Sequence, residues 1–140
     1  MRWLVAMLMG AMALAWTCGG SDDAESAPED ARAAALAWLE LVDEGDYEES
    51  WEEAAAYFRG AVSKERWVTM VRGVRAPVGD VLEREVVRMT PRSSLPGAPD
   101  GDYVVIELRT SFANRADATE TVTPMRDPDG TYRVSGYFIR

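Results

Sequence analysis

Apolar positions recur at three- and four-residue steps in the first half of the chain and at two-residue steps in the second. Ala31, Ala34, Ala35, Trp38, Leu41 and Val42 mark one buried face of a helix that starts near Asp30. Glu29 and Asp30 sit in its first turn, where the helix dipole favours acids, and Gly45 supplies a stop. A second helix follows at once. Asp46 is placed to cap it, with Glu49 completing a capping-box pair. Its apolar face is Trp51, Ala54, Ala55 and Phe58, and Gly60 ends it. Ser63 caps a third helix carrying Trp67, Met70, Val71 and Val74, and Pro77 stops it.

After Gly79 the period becomes two. Residues 81–90 read as a strand with a mostly polar outer face. A loop rich in proline and glycine runs from Pro91 to Asp102 and ends on the turn Pro99-Asp100-Gly101. Tyr103–Phe112 alternates most clearly. Val104, Ile106, Leu108 and Phe112 fall on one side, and Glu107, Arg109 and Ser111 on the other. A turn at 114–117, a Thr-rich strand over 119–125, a hairpin turn at Asp127-Pro128-Asp129-Gly130 and a last strand over 132–139 complete the order. Helices segregated from strands predict an α+β fold. Three N-terminal helices should pack in a curved four-stranded antiparallel sheet, which buries one face of each strand against Trp38, Trp51 and Trp67.

The first residues follow a different pattern. Met1 and Arg2 precede an apolar run from Trp3 to Trp16, then Thr17, the single cysteine Cys18, and a small, acidic stretch. The run is short of the roughly 20 apolar residues that a spanning helix needs, and its length fits an export signal. Two cleavages compete. One cuts before Cys18 and attaches lipid to its thiol, although Ala15, Trp16 and Thr17 match a lipobox loosely. The other cuts after Ala13-Leu14-Ala15 and leaves a soluble periplasmic or secreted chain. The tether-like composition after Cys18 favours the first. The expected organisation is a signal peptide over 1–17, an acylated cysteine and flexible tether over 18–29, and one domain over 30–140. Gly19, not Asp, would be the second residue of the mature chain, which favours the outer membrane over inner-membrane retention.

Charge and residue types narrow the chemistry. The 140-residue chain carries −9, and cleavage removes only Arg2, so 24 acids face 14 bases, or −10. Such a surface has no electrostatic footprint for nucleic acid, and it should not adhere to anionic lipid beyond its own anchor. Histidine is absent, which removes the commonest general base and metal ligand. With Cys18 committed to lipid, no disulfide, no Cys/His metal site and no Ser-His-Asp arrangement is expected. No cofactor is expected either. Catalysis would have to rest on carboxylates, Tyr, Lys or Arg.

A series of motifs resembles a known family. Gly45-Asp46-Tyr47, Ser50-Trp51, Val62-Ser63-Lys64-Glu65-Arg66-Trp67, Arg75-Ala76-Pro77-Val78-Gly79, the stretch Leu95–Val105, Thr110-Ser111-Phe112, Glu120-Thr121-Val122 and Gly130–Tyr137 look like the bacterial domain of unknown function 4019. The resemblance covers about residues 31–140 and implies no activity. The pattern is also similar, at fold level, to nuclear transport factor 2-like and SnoaL-like cones, which enclose a pocket. Such an analogy does not transfer function.

The candidate pocket lining is Trp38, Trp51, Trp67, Tyr103, Tyr132 and Tyr137, with Glu107, Arg109 and Glu120 as candidate polar groups. The plainer reading of the aromatics is core, and that of the charges is a solvated face with weak cross-strand pairs. Asp127-Pro128-Asp129-Gly130 resembles half a calcium loop, but position twelve is Phe138, so a hairpin turn is the expectation. The leading expectation is a non-catalytic, lipid-anchored envelope domain that binds a small apolar ligand or a protein partner. One alternative is a SnoaL-like isomerase or hydratase with a carboxylate base. The other is an envelope assembly accessory, which could pair as a homodimer through its sheet face or through the edge at 132–139.

Overall fold

A computed structural model describes residues 22–140. The expected signal peptide, Cys18 and the first residues of the expected tether lie outside the described residues. The order is α1 (Asp22–Glu44), α2 (Tyr47–Glu52), α3 (Ala56–Ala61), α4 (Lys64–Val78), β1 (Val81–Arg92), β2 (Tyr103–Phe112), β3 (Arg115–Arg126) and β4 (Tyr132–Ile139). The strands form an open antiparallel sheet in chain order, β1-β2-β3-β4. The α+β expectation therefore holds, with β1 and β4 at the two edges.

Several details depart from the periodicity. Helix α1 begins at Asp22, ahead of the start expected near Asp30, and carries Pro28 inside it. The expected second helix is two short ones. Buried Ala54 and Ala55 separate them, and the Ala55 amide donates to Val134 O on the β4 edge (2.8 Å). Pairing with the sheet outweighs continuing one helix. Asp46 occupies the N-cap of α2, but its side chain makes no capping bond. Ser63 does cap α4, accepting from the Arg66 amide. Met70 and Val74, expected on the buried face of α4, are about half exposed. That face is instead Trp67, Val71, Arg75 and Val78.

Two positive-φ glycines set the helix ends. Gly45 (φ +81°) closes α1. Gly79 (φ +78°) turns α4 into β1, and a Cβ there would lie 3.0 Å from Asn114 Nδ2 and 3.2 Å from Ala113 Cβ. The close approach fixes the end of α4 against the β2–β3 turn.

The core lies between α1, α4 and one face of the sheet. Ala31, Ala35, Trp38, Leu39 and Val42 of α1 meet Val104, Ile106 and Leu108 of β2, Val122 of β3 and Val134 of β4. Trp38 Nε1 donates to Ser50 O (2.7 Å), Trp67 Nε1 to Ser50 Oγ (2.9 Å), and Ser50 Oγ to Tyr47 O (2.7 Å). Both indoles are thus satisfied while buried, as an interior requires.

Candidate functional site

Sheet register divides the molecule into two ends. At one end lie the close of β1, the start of β2, the close of β3 and the start of β4, since Arg92 pairs with Tyr103, Tyr103 with Met125 and Arg126 with Tyr132. At the other, Arg84 pairs with Thr110, Thr110 with Ala118, and Glu120 with Ile139. Helix α1 crosses between them. Ala27 and Pro28 border the first end, and Asp43 reaches the second. We call them the mouth and the closed end.

The closed end holds a partly buried ionic chain. Glu120 is fully buried. Its Oε1 accepts from Arg84 Nε (2.8 Å) and Thr110 Oγ1 (2.5 Å), and its Oε2 from Tyr137 Oη (2.5 Å) and Arg84 Nη2 (3.3 Å). Arg84 also holds Asp43 with two bonds, Nη1 to Oδ2 (2.6 Å) and Nη2 to Oδ1 (3.0 Å). Asp43 in turn accepts from Arg75 Nη2 (2.8 Å). Every strand contributes one side chain to this chain, and α1 and α4 contribute one each. Two acids face two bases, so the cluster is neutral as a set.

The electrostatics follow from this packing. Burial opposes the Arg84 charge, but its hydrogen bonds to Asp43 and Glu120 more than reverse that, and its pKa is raised. Burial first, then the adjacent Glu120 charge, pushes the Tyr137 hydroxyl well above the usual phenol range. Tyr137 therefore stays a donor to a carboxylate. The Arg75 guanidinium lies over the Phe112 ring (5.2 Å), and its buried Nε and Nη1 have no hydrogen-bond partner among the described residues.

The aromatic candidates divide. Trp38, Trp67 and Tyr137 form one packed set, with Trp38 and Trp67 centroids 5.7 Å apart and Trp38 and Tyr137 5.4 Å apart. They fill the space between helices and sheet. Trp51 is half-buried at the edge, donating from Nε1 to Val62 O (2.7 Å) under the Lys64 ammonium. Tyr103 belongs to a separate small cluster with Ala55 and Met125, its hydroxyl bonded to Pro99 O (2.6 Å) and raised in pKa chiefly by burial. Tyr132 lies in the main core and reaches the mouth.

The polar candidates divide too. Glu107 and Arg109 do not point into the interior. They share the outer sheet face, where Glu107 pairs with Arg88 (3.5 Å) and Arg140 (3.2 Å) and Arg109 is exposed. Glu120 alone points inward. The expectation that all three lie away from the apolar set fails for Glu120, because Ala118 and Val122 flank it at two-residue steps on the buried face. Sequence reasoning did not single out Asp43, Arg84 or Thr110. The available signal was a polar residue at or beside an apolar step. Arg84 precedes Val86 by two, Thr110 lies between Leu108 and Phe112, and Asp43 sits beside buried Val42 near the end of α1.

The mouth is an open cleft of about 500 Å³. Ala27, Pro28, Pro91, Val104 and the rings of Tyr103 and Tyr132 make its lining mainly apolar. Arg92, Arg126 and Asp102 stand in it. Arg126 lies over the Tyr132 ring (5.2 Å) and 3.9 Å from Asp102. Beyond Tyr132, a second open cleft of about 410 Å³ follows α1 past Ala34, Ala37, Trp38 and Leu41. The nearby hairpin Asp127–Gly130 is a turn, as expected, and Arg133 takes both of its carboxylates (3.0 Å to Asp127, 2.8 Å to Asp129). That bond, with the Thr131 amide, lowers Asp129 to about 2.

Among the described residues no helix is long and apolar enough to cross a membrane. No curated protein matches the chain. Residues 34–137 match the model of a protein family of unknown function, domain of unknown function 4019, and with most of its length covered the chain belongs to that family.

Proposed function

We propose that this chain is a lipid-anchored cell-envelope domain that binds a ligand at its mouth and does not transform it. The carrying observation is the state of Glu120, the carboxylate buried deepest in the fold. Its two oxygens accept four hydrogen bonds, which uses the acceptor capacity of a carboxylate. An Arg84 that also grips Asp43 holds it. A general base needs a free lone pair and a path to substrate, and Glu120 has neither. The mouth cleft, by contrast, is open, mostly apolar and supplied with a few polar groups, which is the usual composition of a small-ligand site. It also lies at the end where α1 begins, downstream of the signal-like segment and Cys18.

Native mass spectrometry of the purified mature protein tests the binding half, with a retained amphiphile as the expected result. Mass spectrometry of the mature N-terminus tests the anchor. A thioether-linked lipid on Cys18 is expected, and an unmodified chain starting at Trp16 would sink it.

A second reading, a SnoaL-like isomerase or hydratase, has one motive: a buried carboxylate beside a tyrosine hydroxyl. It requires Arg84 to release Glu120 when substrate enters. Turnover abolished by Glu120→Gln in a protein that still folds would favour it over the binding reading.

A further inference from the structure

We infer that two copies of this chain pair through the outer edge of β4, the segment 136–140 against the same segment of a second copy, into one continuous antiparallel sheet. The pairing lies at the closed end and stands apart from the ligand reading of the mouth.

The backbone sets the register. The Arg140 amide donates to Thr119 O (3.0 Å) and the Thr119 amide to Arg140 O (2.9 Å), so the main-chain groups of Arg140 face β3. Along an antiparallel strand these groups alternate in direction. Those of Ile139 and Tyr137 therefore point away from the sheet, and no turn, loop or helix among the described residues bonds to them. Val134, beyond the bulge at Ser135 and Gly136, is different, because its carbonyl is taken by the Ala55 amide. The antiparallel register that satisfies both free residues puts Tyr137 opposite the partner's Ile139 and Ile139 opposite the partner's Tyr137. It is its own image under a two-fold axis, as a closed pair requires, and it stops short of Val134.

The side chains suit the same register. Phe138 falls directly opposite the partner's Phe138 as a non-hydrogen-bonded pair, where Cβ atoms lie about 4.5–5.5 Å apart. Phe138 is 53% exposed, and a second ring would cover it. Arg140 falls opposite the partner's Gly136 and is already paired with Glu107 of its own chain (3.2 Å). No like charges meet across this pairing, although the chain carries −9.

The two sheet edges differ in protection. On β1, register shifts at Leu82 and Val87 break the ladder, and Glu83, Arg84, Glu85 and Arg88 charge it. Bulges and charges are the devices by which sheets avoid edge pairing. From Tyr137 to Ile139, β4 has no charge, no proline and no bulge. So short a pairing buries little surface and makes a weak, reversible dimer.

The test uses the mature chain with Cys18→Ser, which has no thiol. Adding Phe138→Cys gives one thiol per copy, and mild oxidation with diamide should link them into a dimer, since directly opposed positions are close enough for a disulfide. Leu82→Cys, on the β1 edge and 65% exposed, is the control and should link at least ~10-fold less. Sedimentation equilibrium of the Cys18→Ser chain, from about 10 μM to about 1 mM, should show the average mass rising from monomer toward dimer. Phe138→Lys places like charges opposite each other and should weaken the dimer at least ~10-fold with circular dichroism unchanged. A strict monomer at about 1 mM, equal linking at Leu82, or dimerisation unaffected by Phe138→Lys would overturn the inference.

Discussion

The two ends of this small sheet handle charge in opposite ways. At the closed end, Arg75 and Glu120 are buried and Asp43 and Arg84 partly so, and the two acids accept bonds from the two arginines, with Thr110 and Tyr137 adding to Glu120. At the mouth, Arg92 is exposed and unpaired, and Asp102 is mostly exposed. Taking charges out of water costs several kcal/mol each, which the mutual bonds of Asp43, Arg84 and Glu120 offset at the closed end. Exposed charges cost little to leave unpaired, so the mouth needs no such network. A buried carboxylate beside a tyrosine looks more like an active site than an open cleft does. Its hydrogen bonds, however, take up every acceptor position of Glu120.

The largest expected effect tests this contrast directly. Arg84→Met leaves Glu120 and Asp43 short of their main partner inside the fold and should cost about 3–5 kcal/mol of stability, whereas Arg92→Gln should stay within about 0.5 kcal/mol. Urea denaturation of both variants decides it, and equal losses would erase the distinction between the ends.

A smaller effect is expected where the helices lock onto the closed end. Ser50→Ala removes the acceptor of Trp67 Nε1 and should cost about 1–3 kcal/mol, the penalty of a buried donor left unpaired. A loss below half of that would mean that water enters and takes the place of the hydroxyl.

Tyr137→Phe should cost about 1 kcal/mol at neutral pH, and its signature lies at high pH. The hydroxyl is raised in the fold from its ordinary 10.0, so the folded state keeps a proton that the unfolded state gives up. Its contribution is fully present below pH 10 and is lost as pH rises beyond that. Stability of the parent should therefore fall more steeply than that of Tyr137→Phe above pH 10 in a denaturation series.

The mildest test is at the mouth-end hairpin. Asp129 titrates at about 2 because Arg133 and the Thr131 amide favour its charged form. A depressed carboxylate adds stability above its ordinary 3.8, and this is lost as pH falls through about 2. A carboxyl NMR titration should find that midpoint, and Arg133→Gln should return it toward 3.8.

Much of the fold was legible because local spacing carries it. The limits of β2 follow from alternation, the start of β4 follows from the turn before it, and the Ala31–Ala35–Trp38–Val42 face follows from helical steps. Legibility failed where a charge sat in step with apolar neighbours. Glu120 falls between Ala118 and Val122, yet polar identity argues for a solvated face. It failed again at Ala54 and Ala55, whose helical propensity favours continuing a helix that a bond to the β4 edge interrupts.

The sequence by itself determined the succession of helices then four strands, the α+β class, the absence of histidine and the lone cysteine behind an apolar run. Only tertiary structure decided that Arg84 meets Glu120 thirty-six residues away and Asp43 forty-one away. It also decided that Glu107 and Arg109 face outward, and that Arg92 and Asp102 meet at one cleft. The reason is geometric. Strand register turns a step of one residue into a change of face, and the partner of a buried charge is fixed by that register and by where a helix ends, neither of which is written in the residues nearby.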